Sequence, residues 1–291
     1  ILRGEVSVTN ATTLANTGTL QLGGVESDNL YFADGLVATA PSAITTAGVI
    51  RSNNADITLG AVHSAITLVN DTSINSGSGS LRLVSSVTAG EESYRLRLLS
   101  TGPTTLDGDL SSAGALSFAG PVTFTNAATL SAASFDFASS VAFGGATTIT
   151  ASTVTFDGAV TAAGNLTVNG NTTINGGSVN SGSHTQTYSG TVTVGGLATD
   201  TTTFTGVGMT FGGSLDGTSR VWVADSGATT YSGAIGGTTA PAHFETDAAG
   251  SSTFSGGLVR TSSPNSINIA DDAGITADTT FDTTHNGALS T

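Results

Sequence analysis

The sequence predicts an all-β protein in which short parallel strands stack as a β-solenoid, with about 19 residues per coil and almost no helix. Three observations predict this fold. Apolar and other residues alternate over three-residue stretches, these stretches recur at a fixed spacing, and no part of the chain has helical periodicity.

The repeat is clearest between Gly108 and Gly164. The stretch Leu116-Ser-Phe118 recurs as Phe135-Asp-Phe137 and Val154-Thr-Phe156, each time about 19 residues later. Alternation turns the outer two residues of each stretch to one face. A three-residue strand buries that face only when equivalent strands stack upon it. The predicted core stack of this window is Phe118, Phe124, Phe135, Phe137, Val141, Phe143, Val154, Phe156 and Val160.

Asp-Gly and Asn-Gly dipeptides predict the corners between strands. Asp or Asn precedes glycine at Gly108, Gly158, Gly176 and Gly217. Such dipeptides suit turns in which the backbone angle φ becomes positive. We therefore expect a positive φ at these four glycines.

Residues 1–291 are predicted to form one continuous solenoid domain, because no proline-rich or strongly charged linker interrupts the pattern. A longer repeat lies over the short one. The segments 71–110 and 200–235 resemble each other and indicate two internal modules of similar sequence. The pattern continues to both ends, so we expect the chain to be a piece of a longer protein.

Composition excludes several classes of function. The formal net charge of −14 disfavours nucleic acid and anionic membranes as partners. Cysteine is absent, and all seven basic residues are arginines, so thiolate and lysine chemistry are excluded. No apolar run approaches the ~18 residues that a membrane-spanning helix needs.

Four stretches carry a resemblance to a known family: residues 171–179, 186–190, 228–237 and 246–250. They resemble the β-strand repeats of filamentous-haemagglutinin-like and autotransporter-like giant surface proteins of bacteria. The resemblance extends from about Asp71 to Leu258. It implies a right-handed parallel β-helix, export to the outer cell surface or the medium, and a role in adhesion, surface coating or matrix. The family's export domain and receptor-binding tip have no counterpart in these residues.

Contact residues are predicted on two strands. Arg95 and Arg97 alternate with inward-facing leucines and belong to a charged patch with Arg82, Glu91 and Glu92. The alternation also turns Trp222 and Arg220 outward, where an indole could stack on a sugar or pack on a neighbouring chain. A solvated strand face is the alternative interpretation of the charged patch, and coverage by an adjacent loop is the alternative for Trp222.

An acidic stretch near the end of the chain contains Asp271, Asp272 and Asp278. Carboxylate oxygens are ligands for calcium, although the sequence has neither an EF-hand loop nor a Gly-Gly-x-Gly-x-Asp repeat. We expect no cofactor, with calcium as the alternative. The four histidines are widely separated and show no zinc spacing.

Two functions compete. The first is a structural or adhesive repeat segment, not an enzyme, outside a bacterial cell. Its expected partners are copies of itself, end to end or side by side as in a filament or matrix, and glycans of host or neighbouring cells. The second is a glycan-binding or glycan-cleaving β-helix such as a lyase or a tail-spike-like protein, which would need a groove with aromatic residues and paired acids.

Overall fold

A computed structural model describes residues 1–89 and 92–283 of the chain, and all of its regular elements are β-strands. The chain forms two compact units, Ile1–Gly145 and Ala146–Thr291. Within each unit, parallel strands stack as a β-solenoid, with about 21 residues per turn and about 13 turns in all. The described residues include no helix long and apolar enough to cross a membrane. The predicted fold class is confirmed, whereas the single domain over 1–291 stays a prediction.

The described residues of unit 1 form eighteen strands, which lie on three sides of each turn. They are β1 (Glu5–Val8), β2 (Thr12–Thr13), β3 (Thr19–Leu22), β4 (Asn29–Phe32), β5 (Leu36–Ala38), β6 (Ala43–Ser52), β7 (Ile57–Leu59), β8 (Ala65–Asn75), β9 (Leu81–Leu83), β10 (Ser86–Thr88), β11 (Leu96–Leu98), β12 (Thr104–Leu106), β13 (Leu110–Ser111), β14 (Ala115–Phe118), β15 (Val122–Phe124), β16 (Ala128–Ser131), β17 (Ser134–Phe137) and β18 (Val141–Phe143).

Up to residue 283, unit 2 forms seventeen strands with the same parallel pairing between successive turns. They are β19 (Thr147–Phe156), β20 (Val160–Ala162), β21 (Leu166–Ile174), β22 (Ser178–Asn180), β23 (Gln186–Tyr188), β24 (Val192–Val194), β25 (Thr201–Gly206), β26 (Met209–Phe211), β27 (Leu215–Gly217), β28 (Arg220–Asp225), β29 (Ala228–Tyr231), β30 (His243–Thr246), β31 (Ser251–Phe254), β32 (Leu258–Arg260), β33 (Ile267–Asn268), β34 (Asp272–Ile275) and β35 (Thr280–Asp282).

The length of a turn varies along the chain. Leu116 pairs with Phe135, so the step between turns equals the predicted coil length in the window from Gly108 to Gly164, where the repeat is clearest. Elsewhere the step is longer, as in the pairing of Ile74 with Leu98. Extra residues enter between strands and leave the strand pairing intact, because only the strands must match in length. The predicted coil length is therefore a local value.

The interior is apolar because strand residues alternate between buried and outward positions. All nine residues of the predicted core stack are at most 2% exposed. In unit 1, the rings of Phe118 and Phe137 stack with centroids 4.8 Å apart and an interplanar angle of 3°. In unit 2 a second stack crosses four turns, and it consists of Tyr188, Phe211, Tyr231 and Phe254. Such offset pairs add to the stabilisation that burial itself gives.

Close stacking, and not a positive φ, explains two of the four predicted corner glycines. Gly217 has a φ of +146°, as expected, but Gly108, Gly158 and Gly176 do not have positive values. A Cβ on Gly108 would lie 2.5 Å from the Ser86 nitrogen. One on Gly176 would lie 2.0 Å from the Gly158 carbonyl oxygen. The prediction was wrong for these three residues, and at Gly108 and Gly176 the backbone of the preceding turn leaves no room for a side chain.

The Asp28 carboxylate links two backbone segments at the start of unit 1. Its carboxylate accepts hydrogen bonds from the backbone N–H groups of Gly24 at 2.7 Å and Gly4 at 2.8 Å. These two bonds, and a weaker one from Val25, hold the pKa of Asp28 below its usual value of 3.8. The charged form is the one that the fold stabilises.

We expect Asp28→Ala to lower the melting temperature at neutral pH, and to lower it little in acid. A folded-state pKa below the unfolded value contributes stability above that unfolded value, and the contribution is lost as pH falls through the folded-state pKa. Melting curves between neutral and strongly acidic pH check this. Asp34→Ala, at an exposed carboxylate of the same unit, is the control; an equal effect of the two changes at neutral pH would contradict the prediction.

Candidate functional site

Trp222 and Arg220 lie on the outer face of β28, where the sequence placed them. The strand alternates regularly, since Val221 and Val223 between and beside them are each 1% exposed. The Trp222 side chain is 43% exposed and is the only tryptophan of the protein. Within the described part of the chain, no loop encloses it. An aromatic side chain therefore lies on the outer face of β28, two residues from an arginine.

The neighbouring strands complete a groove around Trp222. β28 pairs in parallel with β30, which sets Arg220 beside His243 and Trp222 beside Glu245. β30 pairs with β33, which sets Glu245 beside Asn268. The resulting groove has a volume of about 650 Å³, within the usual range for small-molecule sites. Its lining consists of Thr201, Arg220, Val221, Trp222, His243, Glu245, Asn265, Ile267 and Asn268.

Polar contacts within the groove leave one charge unpaired. The Glu245 carboxylate accepts a hydrogen bond from the Asn268 amide at 2.9 Å, and its other oxygen lies 3.6 Å from His243 Nε2. The exposed guanidinium of Arg220 has no hydrogen-bond or ion-pair partner within the described part of the chain. The groove can thus accept an anionic group beside an apolar ring.

Arg95 and Arg97 line a second, smaller groove in unit 1, with a volume of about 170 Å³. The acidic residues beside them are Glu26 and Asp71, and the Asp71 carboxylate accepts a hydrogen bond from the Arg95 backbone nitrogen at 2.9 Å. The sequence had not linked these acids to the two arginines. They belong to earlier turns of the solenoid, so they are distant from the arginines along the chain.

The predicted charged patch is not assembled as one site. Arg82 lies in β9 and forms an ion pair of 2.7 Å with Asp107, away from β11. Glu92 is exposed, and Glu91 lies outside the described residues. The described residues therefore do not bring Arg82 and a pair of carboxylates together beside Arg95 and Arg97.

The three aspartates that the sequence offers as calcium ligands differ in their surroundings. Asp271 accepts hydrogen bonds from the hydroxyls of Thr246 at 2.9 Å and Ser252 at 2.7 Å, so both of its oxygens serve the solenoid corner. Asp272 and Asp278 are exposed. Within residues 1–89 and 92–283, no group of three or more acidic or histidine side chains is close enough to hold a metal ion. His285 lies outside those ranges.

Unit 2 also has an acidic corner that sequence reasoning missed, made of Asp225, Asp247 and Asp271 on successive turns. The Asp225 backbone nitrogen donates to Asp247 at 3.3 Å, which places the two aspartates next to each other. The buried Tyr231 hydroxyl faces this corner and has no well-aligned hydrogen bond among the described residues. Burial and the Asp271 carboxylate raise the pKa of Tyr231, so the phenol stays protonated. The three aspartates come together because of the lengths of the turns between them. The sequence does not reveal these lengths.

We expect Asp247→Asn to raise the melting temperature at neutral pH. Burial, and then the Asp271 and Asp225 carboxylates, raise the pKa of Asp247 above its usual 3.8. A raised folded-state pKa favours folding most below the unfolded value, and that stability is lost as pH rises through the folded-state pKa. The charged carboxylate is thus the disfavoured form at neutral pH.

Melting curves at neutral and acidic pH measure this difference. The gain from Asp247→Asn should shrink at acidic pH, where Asp247 itself is protonated. Asp200→Asn is the control, at an exposed carboxylate of the same unit. A fall in melting temperature at neutral pH for Asp247→Asn would show that the negative charge is needed.

The fold defines the chain as a β-solenoid repeat protein. No match to the chain was found among models of protein families, curated proteins or solved structures.

Proposed function

We propose that the chain is a structural and adhesive repeat segment of a secreted or cell-surface bacterial protein. The observation that carries the proposal is a regular exterior of hydroxyl side chains over an apolar interior within each unit. On one side of unit 2, six successive turns present threonine at the same outward position: Thr148, Thr167, Thr187, Thr210, Thr230 and Thr253. Such a row shows that successive turns repeat the same structural unit with little variation, which is typical of a spacer.

A similar row runs along unit 1. It consists of Thr45, Thr67, Thr88, Ser111 and Ser131 on five successive turns. These hydroxyl side chains keep the outer face of the sheet polar with few charges. The resemblance to bacterial surface repeats supports the same function. Copies of the chain, end to end or side by side, and surface glycans are the proposed partners.

Location on the cell tests the proposal most directly. Gold-labelled antibodies against the chain are applied to intact bacteria that express the parent protein, and to broken cells as a control for access. We expect label outside the outer membrane of intact cells, and beads coated with the chain should adhere to one another or to such cells. Label that appears only after the cells are broken would overturn the proposal.

A further inference from the structure

The Trp222 groove interrupts the hydroxyl-bearing exterior of unit 2. Along the outer faces of β22, β25, β28, β30 and β33, one row passes from hydroxyl side chains to other types. In register it consists of Ser178, Thr203, Trp222, Glu245 and Asn268. The adjacent row changes in the same place, from Thr201 to Arg220 and His243. The solenoid does not require these residue types, because hydroxyl side chains occupy the preceding turns of the same rows.

The exposed indole defines one part of a ligand. A tryptophan side chain has a broad apolar face and a single N–H donor at its edge, and leaving that face in water is unfavourable. A ring with an apolar face and polar edges would cover it and still reach the surrounding side chains. A saccharide ring has these properties, and a groove of about 650 Å³ accommodates a short saccharide.

The free guanidinium defines the other part. Arg220 lies two residues from Trp222 on the same face of β28, and it has no partner among the described side chains. The acidic residue of the groove, Glu245, is already engaged by Asn268 and lies near His243. A guanidinium binds a planar carboxylate, or an anion such as sulfate, through two parallel hydrogen bonds.

We propose that this groove binds an anionic saccharide, with a sugar ring on Trp222 and its carboxylate or sulfate on Arg220. Asn268 and Glu245 lie where they can bond sugar hydroxyls. This inference rests on the proposed adhesive function and gives it a contact site. A nucleic acid would also offer rings and anions, but a protein with a net charge of −14 repels its many phosphates.

Titration of the full chain with three oligosaccharides of equal length tests the inference. The first probe contains uronic acid. The second consists of neutral sugars that carry sulfate groups, and the third consists of the same neutral sugars without sulfate. Calorimetry measures the affinity, and the fluorescence of the single tryptophan reports whether Trp222 is covered. We expect the uronate probe, the sulfated probe or both to bind about tenfold more tightly than the neutral one, and to change the fluorescence. Which of the two binds identifies the anionic group.

Variants separate the two contacts. Trp222→Ala is expected to weaken binding by about tenfold or more in calorimetry, and Arg220→Gln to remove the preference for the anionic probes. Arg51→Gln, at an exposed arginine of β6 in unit 1, is the matched control and should leave the affinity unchanged. Circular dichroism of each variant verifies the fold. Absence of binding, equal affinity for the neutral probe, or unchanged affinity in Trp222→Ala would overturn the inference.

The result is independent of the cell-labelling experiment. Label on the cell surface without saccharide binding would contradict the proposed binding site but would agree with the proposed structural and adhesive function. Release of unsaturated oligosaccharide from the uronate probe would overturn a site that only binds, and would support a lyase.

Discussion

Phe137→Asp is expected to abolish the cooperative folding of unit 1. Phe137 is fully buried in β17, and its ring lies 4.8 Å from that of Phe118 and 5.9 Å from that of Phe135. Phe143 adds an edge-on contact at 6.4 Å. Removing a buried phenylalanine ring typically costs ~3–5 kcal/mol of the free energy of unfolding. The aspartate would add the cost of a carboxyl group without hydrogen-bond partners in an apolar stack.

Thr123→Asp is the matched control, because Thr123 is exposed in β15 next to the buried Phe124. It introduces the same charge without entering the stack, and its effect should lie within about 0.5 kcal/mol. Urea unfolding followed by circular dichroism measures both variants. Hydrogen exchange then shows whether the loss of protection is greatest in unit 1, as the nearest-neighbour stability of solenoids predicts. Equal unfolding midpoints for the two variants would refute the assigned inward position of Phe137.

Gly170→Ala is expected to destabilise unit 2 by about 3 kcal/mol, owing to backbone strain and a clash that no rotamer relieves. Gly170 has a φ of +152°, and a Cβ there would lie 1.9 Å from the carbonyl oxygen of Ala151. The register explains this close approach. Between the pairs Thr150–Asn169 and Thr153–Asn171, two residues of β19 oppose the single residue Gly170. This is a β-bulge, which bends the strand at the corner of the turn.

Gly182→Ala separates conformational strain from the clash. Gly182 also has a positive φ, of +58°, but a Cβ there would meet nothing within 4 Å. We expect this change to cost only about 1 kcal/mol. Denaturant unfolding of unit 2, followed by Trp222 fluorescence, compares the two. Similar costs would show that the backbone near Ala151 can shift to admit a side chain.

Alternation within short apolar stretches, together with their recurrence, was sufficient to predict the fold class. In Leu116-Ser-Phe118 and Phe135-Asp-Phe137, the outer residues are buried and the middle ones are not. The reason is local: a strand turns alternate side chains to opposite faces whatever its neighbours are. The outward positions of Trp222 and Arg220 followed from the same rule.

The sequence did not predict which turns come together at the groove. Trp222 lies beside Glu245, and Glu245 beside Asn268. Both of these steps are longer than the step from Leu116 to Phe135 in the clear repeat. Extra residues at corners lengthen the turns without a pattern that composition reveals. The alignment of Asp225, Asp247 and Asp271 was hidden for the same reason.

The sequence by itself determined that the chain is a parallel β-solenoid with an apolar interior, because alternation and recurrence act through the geometry of single strands. Only the tertiary structure decided the length of each turn, the glycines that close stacking requires, and the side chains that share the Trp222 groove. These depend on the register between turns, and backbone hydrogen bonds between stacked strands fix that register only once the coil has closed.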